Sequence, residues 1–204
     1  MDPEIRIITF VVFSLLVYAL MKKLTKKKIS SKEVAMLGIF TALTAIATMF
    51  LRIPISATGG YFNFGETIIY TAAFLFGSYT ASFVGGIGSA IADLWGFPFF
   101  APITLVVKAV EGYLVGRIYE KKHLPFGKKT DRRIKIFAGA VGGTFMVIGY
   151  FIGEIFIYKM IGGESISIQA AAIEVPINIL QMVSGITLAT IITEKIKLPH
   201  EWQK

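Results

Sequence analysis

Among the polar side chains within otherwise apolar segments of this 204-residue sequence, Asp93, Lys108, Glu111, Glu154, Glu174, Asn178 and Gln181 stand out as carboxyl, amine or amide groups. Ionisable groups in apolar stretches of membrane length are expensive, so they mark a function or an obligatory pair. Their types limit the chemistry. Cysteine is absent, which removes thiol catalysis, disulfides and thiolate metal sites. The two histidines, His123 and His200, fall in polar segments and leave no imidazole in an apolar span for metal binding or proton transfer. No Asp-rich metal motif or Ser–His arrangement is present, which disfavours an intramembrane enzyme such as a hydrolase or prenyl transferase. Carboxyls and amides beside aromatics suit recognition instead. Tyr61, Phe62, Phe64, Trp95, Phe97, Phe99 and Phe100 crowd two connecting segments, and such aromatics with a few convergent polar groups suit a flat, moderately polar ring. Asp93, Glu111, Glu154 and Glu174 outnumber the nearby cations Lys108 and Arg52. Either some of these carboxyls are neutral or the ligand is neutral to cationic; an anionic substrate is disfavoured.

Membrane spans must position these residues. The chain is 54% hydrophobic and only 17% charged, with a mean hydropathy of +0.67, which predicts an all-α integral membrane protein. The net charge of +8 comes from lysines that flank apolar runs, a pattern of membrane topology and not of a nucleic-acid-binding face. The first apolar run, Ile5 to Met21, starts Met-Asp-Pro-Glu and ends in lysines, so it reads as a retained helix and not a cleaved leader. A second span runs from about Val34 to Leu51, with Ser30 or Ser31 as N-cap and Glu33 in its first turn. Arg52 to Gly65 reads as an ordered loop. Glu66 to Leu94 reads as a helical hairpin broken near Gly77, Ser78 and Tyr79. Further spans are expected at Ala101 to Tyr119, Ile136 to Tyr158 and Ala170 to Thr193.

Charge bias decides for the hairpin. With it, the basic segments 22–32, 117–135 and the tail after Glu194 share one side, which places seventeen of 21 Lys and Arg in the cytoplasm. The N-terminus is then outside and the C-terminus inside. At about 1.5 Å per residue, Lys108 and Glu111 lie roughly 10 to 15 Å below the outer end of their span. Asp93 lies at an outer end and Glu154 about one turn from another, while Glu174, Asn178 and Gln181 share one helical face. All are expected in the outer half of the membrane, beneath the aromatic loops. Lys108 reads as the partner of Glu111 more than as a ligand contact. The small residues Ala81, Gly85 and Ser89 read as a helix-packing face. Gly38 with Ala42, and Thr41 with Ala45, suit either internal packing or a partner.

The blocks YFNFGETIIYTAAFLFG, GGIGSAIADLWG and APITLVVKAVEGYLVG resemble the membrane-embedded substrate-binding (S) components of energy-coupling factor (ECF) transporters. Similarity is greatest to the subgroup assigned to vitamin precursors such as hydroxymethylpyrimidine and pyridoxine. The resemblance covers 31–195 and implies a six-helix core there; the N-terminal helix and basic linker over 1–30 depart from that pattern, and a tail follows over 196–204. It implies a subunit that binds a vitamin near the outer face, docks on a coupling membrane subunit with two ATPases, needs no cofactor or metal, and hydrolyses nothing itself. It implies Tyr61, Asn63, Trp95, Lys108, Glu111, Glu154, Glu174 and Asn178 as substrate-binding residues, with Trp95 and Tyr61 stacking on the ring. It implies docking through Ala35, Gly38, Ala42 and Ala45, although the strict Ala-xxx-Ala pattern is broken by Ile39. Riboflavin, another vitamin, and stand-alone proton-coupled transport are the alternatives.

Overall fold

The computed structural model describes residues 11, 15, 30–55, 61–121, 131–162 and 164–196, with side chains omitted over 158–167. Apart from residues 11 and 15, the predicted first helix lies outside the described residues, as does the basic segment 122–130. Six helices and one short hairpin are described: α1 (Ser31–Phe50), β1 (Arg52–Pro54), β2 (Tyr61–Asn63), α2 (Gly65–Phe76), α3 (Ser78–Gly96), α4 (Ala101–Glu120), α5 (Asp131–Gly162) and α6 (Glu164–Lys195).

Local chemistry sets the boundaries. Ser30 caps α1: its hydroxyl accepts the Glu33 amide at 3.2 Å, and the Glu33 carboxylate accepts the Ser30 amide at 2.9 Å. Gly77 separates α2 from α3 with φ +86°, a backbone state that costs glycine nothing, and so the expected hairpin forms. Glu120 at the end of α4 clamps this turn, accepting the Ser78 amide at 2.8 Å and its hydroxyl at 3.0 Å. The segment expected as a loop instead pairs its two ends as antiparallel strands, Arg52 opposite Asn63 and Pro54 opposite Tyr61. Pro54 is tolerated because each strand of a two-stranded ribbon is an edge.

At the centre is α2, which touches α1, α3, α4 and α6 and is buried almost all round. Its twelve residues rise only about 18 Å, short of the ~30 Å hydrocarbon core, so it is not a full span by itself. The small-residue face of α3 packs against α4. A Cβ on Gly112 would lie 2.4 Å from the Ala81 carbonyl, and one on Gly85 would lie 2.8 Å from that of Lys108. Outward faces are apolar: Val34, Ile39, Leu43 and Ile46 on α1, and Phe137, Phe145, Ile148, Ile152 and Phe156 on α5. Among the described residues, three helices meet the length and apolarity of a membrane span: α1, residues 131–157 of α5 and residues 168–195 of α6. Together these describe a multi-pass membrane protein.

Candidate functional site

The strand β2, the ends of α3 and α4, and the helices α5 and α6 enclose a cavity with about 470 Å³ of atom-free space, part of it open to solvent. Tyr61 and Asn63 of β2, Asp93 of α3, Thr104 of α4, Tyr150 and Glu154 of α5, and Glu174, Asn178 and Gln181 of α6 line it with Phe97 and Phe100. The spacing 174, 178, 181 puts the three α6 residues on one face, as the sequence predicts. Among the described lining residues are three carboxyls and no lysine or arginine.

Two hydrogen-bonded networks hold the walls. In the first, Asp93 accepts from the hydroxyls of Tyr61 and Thr104, and Thr104 accepts in turn from the Tyr150 hydroxyl at 3.1 Å. Burial, and then the neighbouring Asp93 carboxylate, push the Tyr61 phenol well above its ordinary value, so it serves as a donor there. The Tyr61 ring stacks on Phe97 with centroids 5.2 Å apart, and the Arg52 guanidinium lies 5.7 and 5.5 Å from the two rings.

The second network lies beneath. Lys108 bridges Glu66 and Glu111, the latter at 3.1 Å, and Tyr70 donates to Glu111 at 2.6 Å. Gln181 ties this buried triad to the cavity: its Nε2 donates to Glu66 at 3.0 Å, while its Oε1 accepts the backbone and side-chain amides of Asn63 at 2.8 and 3.1 Å. Two glycines make this possible. Gly185 lets α6 close on α2, since a Cβ there would meet the Glu66 Cβ at 2.5 Å. Gly65 leaves room for Asn63, whose Oδ1 accepts the Gly65 amide at 2.7 Å; a Cβ would lie 2.8 Å from that oxygen.

Of the predicted substrate-binding residues, Tyr61, Asn63, Glu154, Glu174 and Asn178 converge on the cavity. Lys108 and Glu111 do not line it; they sit in the triad, where Lys108 pairs with Glu111 as the sequence suggests and with Glu66 besides. Trp95 is 81% exposed and outside the lining, where Phe97 and Phe100 stand instead. Glu154 is 6% exposed, and its Oε2 has no hydrogen-bond partner among the described residues. Sequence reasoning missed Glu66, Tyr70, Thr104 and Tyr150. A signal existed: Glu66 and Tyr70, and Tyr150 and Glu154, are each four apart and so share a helical face.

On α1, Ala35, Gly38 and Ala42 face outwards, with nothing within 4 Å of a Cβ built on Gly38. Ala45 and Thr41 pack inside.

Comparison with known proteins places this architecture. A family model described as "ECF-type riboflavin transporter, S component" matches residues 28–198. An uncharacterized protein of Pyrococcus woesei is 41% identical over 144 residues, spanning 70% of this chain and 86% of its own length. The thiamine precursor transporter HmpT of Lactococcus lactis subsp. cremoris (strain MG1363) is 30% identical over 179 residues, spanning 87% of this chain and 93% of that protein. With a mainly helical membrane bundle and a polar cavity walled in part by its last helices, this chain belongs to the S-component family of ECF-type transporters.

Proposed function

We propose that the chain is the substrate-binding subunit for uptake of a small, neutral or cationic heterocyclic vitamin or precursor, of hydroxymethylpyrimidine or pyridoxine type. The observation that carries this reading is the cavity lining of three carboxyls, three amides and an aromatic stack, with no cation among the described lining residues. A buried carboxylate without a partner is costly, and an amino-bearing or protonated ring would satisfy the free oxygen of Glu154. Asn178 offers both a donor and an acceptor, which suits an aminopyrimidine or pyridinol edge. Tyr61 and Phe97 supply the stacking face. The name of the Lactococcus relative agrees with a thiamine precursor. Riboflavin is the second candidate, because the matching family model carries that description.

Ala35, Gly38 and Ala42 form the surface that docks on a coupling membrane subunit served by ATPases; their small side chains allow close approach in lipid. The basic segments face the cytoplasm, which puts the cavity toward the outer face, and the chain itself catalyses no reaction. Uptake of labelled hydroxymethylpyrimidine into cells with and without the ATPase module tests this assignment. Dependence on the module, and loss of uptake but not of binding in Gly38→Trp, are expected. Undiminished uptake without the ATPases would overturn it in favour of proton-coupled transport.

A further inference from the structure

Asn63 and Gln181 sit where β2 meets α6, and the groups around them decide which atoms they can show a ligand. A backbone amide can only donate, so the Gln181 atom facing the Asn63 amide at 2.8 Å is the carbonyl oxygen. That oxygen also accepts Asn63 Nδ2 at 3.1 Å, which uses both of its lone pairs. The Gln181 nitrogen then faces Glu66, where one of its two hydrogens is used at 3.0 Å. The same reasoning fixes Asn63. Its oxygen faces the Gly65 amide at 2.7 Å and the Thr48 hydroxyl at 3.5 Å, and its nitrogen spends one hydrogen on Gln181. Both residues are buried and line the cavity. Neither carboxamide can flip without setting donor against donor at a backbone amide, so each retains one N–H and no acceptor. Glu174 is two helical turns away on the same face of α6, about 10 Å along the axis, and with Glu154 it gives the other end of the cavity acceptors.

We propose that Asn63 and Gln181 form a donor-only floor that selects rings carrying a hydrogen-bond acceptor at one end and donors at the other, with Glu66 as the positioning residue that holds Gln181 in register. This rests on the vitamin-binding reading and adds the polarity of the ligand to it. A ring whose inner edge is C–H leaves two buried donors unmet and is rejected.

The test uses full-length protein in mild detergent and three probes: 4-amino-5-hydroxymethyl-2-methylpyrimidine and the two aminopyridines in which one or the other ring nitrogen is replaced by C–H. Wild type binds at least one aminopyridine tenfold or more weaker than the pyrimidine. In Gln181→Met the pyrimidine falls to the level of that aminopyridine, whose own affinity changes less than about threefold. If Gln181→Met does not fold, side-chain amide NMR of 15N-Asn/Gln wild type reads the same contact. The pyrimidine, and not the aminopyridine, moves an amide proton of Asn63 or Gln181 downfield. Equal binding of all three rings by wild type, an equal loss for all of them in Gln181→Met, or unmoved amide protons would overturn the donor floor alone. No binding of any ring by wild type would overturn the vitamin-binding reading and this inference with it.

Discussion

Lys108 is the residue on which the buried charges depend. It is 3% exposed and is shared by Glu66 and Glu111, which are 1% and 0% exposed. Removing one partner from a buried ionic cluster leaves uncompensated charge, at a cost of about 3–5 kcal/mol. Lys108→Met therefore lowers the melting temperature in detergent sharply, and adding Glu66→Gln restores part of the loss. An unchanged melting curve for Lys108→Met would contradict the pairing. Half of this cluster was legible in the sequence, because Lys108 and Glu111 are three apart on one helix. Glu66 was not, because an acidic residue in the first turn of a helix reads as a partner of its dipole and needs no other explanation. Trp95 shows the opposite case. The residue type suits ring stacking, but it closes α3 on the outside of the bundle, and the chain turns at Phe97 before pointing an aromatic into the cavity.

The element with most bearing on the site is the ribbon β1–β2 and its junction with α2. Its strands were hidden in the sequence because Pro54 and the paired glycines Gly59 and Gly60 read as a breaker-rich loop. Three residues per strand are too few for alternation to show. The ribbon puts Tyr61 on one wall and Asn63 on the floor, and Gly65 turns the chain directly into the central helix. Gly65→Ala forces a methyl group against the Asn63 carboxamide and the Thr48 hydroxyl, 2.8 and 2.6 Å away. The expected result is a loss of ligand affinity of about tenfold, roughly 1.4 kcal/mol, with the bundle still folded. Isothermal titration beside a thermal melt checks this, and full affinity in the folded variant would contradict the placement of Asn63. The helices themselves were legible to within several residues, since apolar runs of membrane length have few alternatives.

At the scale of the molecule, charge bias carried the reading furthest. The placement of basic segments called for a hairpin between Glu66 and Leu94, and Gly77 supplies the break. Depth along the helices also foresaw that Glu154, Glu174, Asn178 and Gln181 meet. It could not separate the cavity from the triad below it, because residues at one depth can face different neighbours, and rotation about each helix is set by packing. The glycine contacts of α3 with α4 and of α6 with α2 make those choices.

Titration of purified wild type and Glu154→Ala with hydroxymethylpyrimidine, pyridoxine and riboflavin probes a site for a small donor-bearing ring built around Glu154. Mass spectrometry of the denatured sample would precede this, to identify any ligand carried through purification. Submicromolar binding of a pyrimidine or pyridine ring by wild type is expected, with a loss of at least a hundredfold in a folded Glu154→Ala, from the lost hydrogen bonds to the buried carboxyl and its neighbours. A wild type that binds none of the three, or a Glu154→Ala that keeps full affinity, would contradict it.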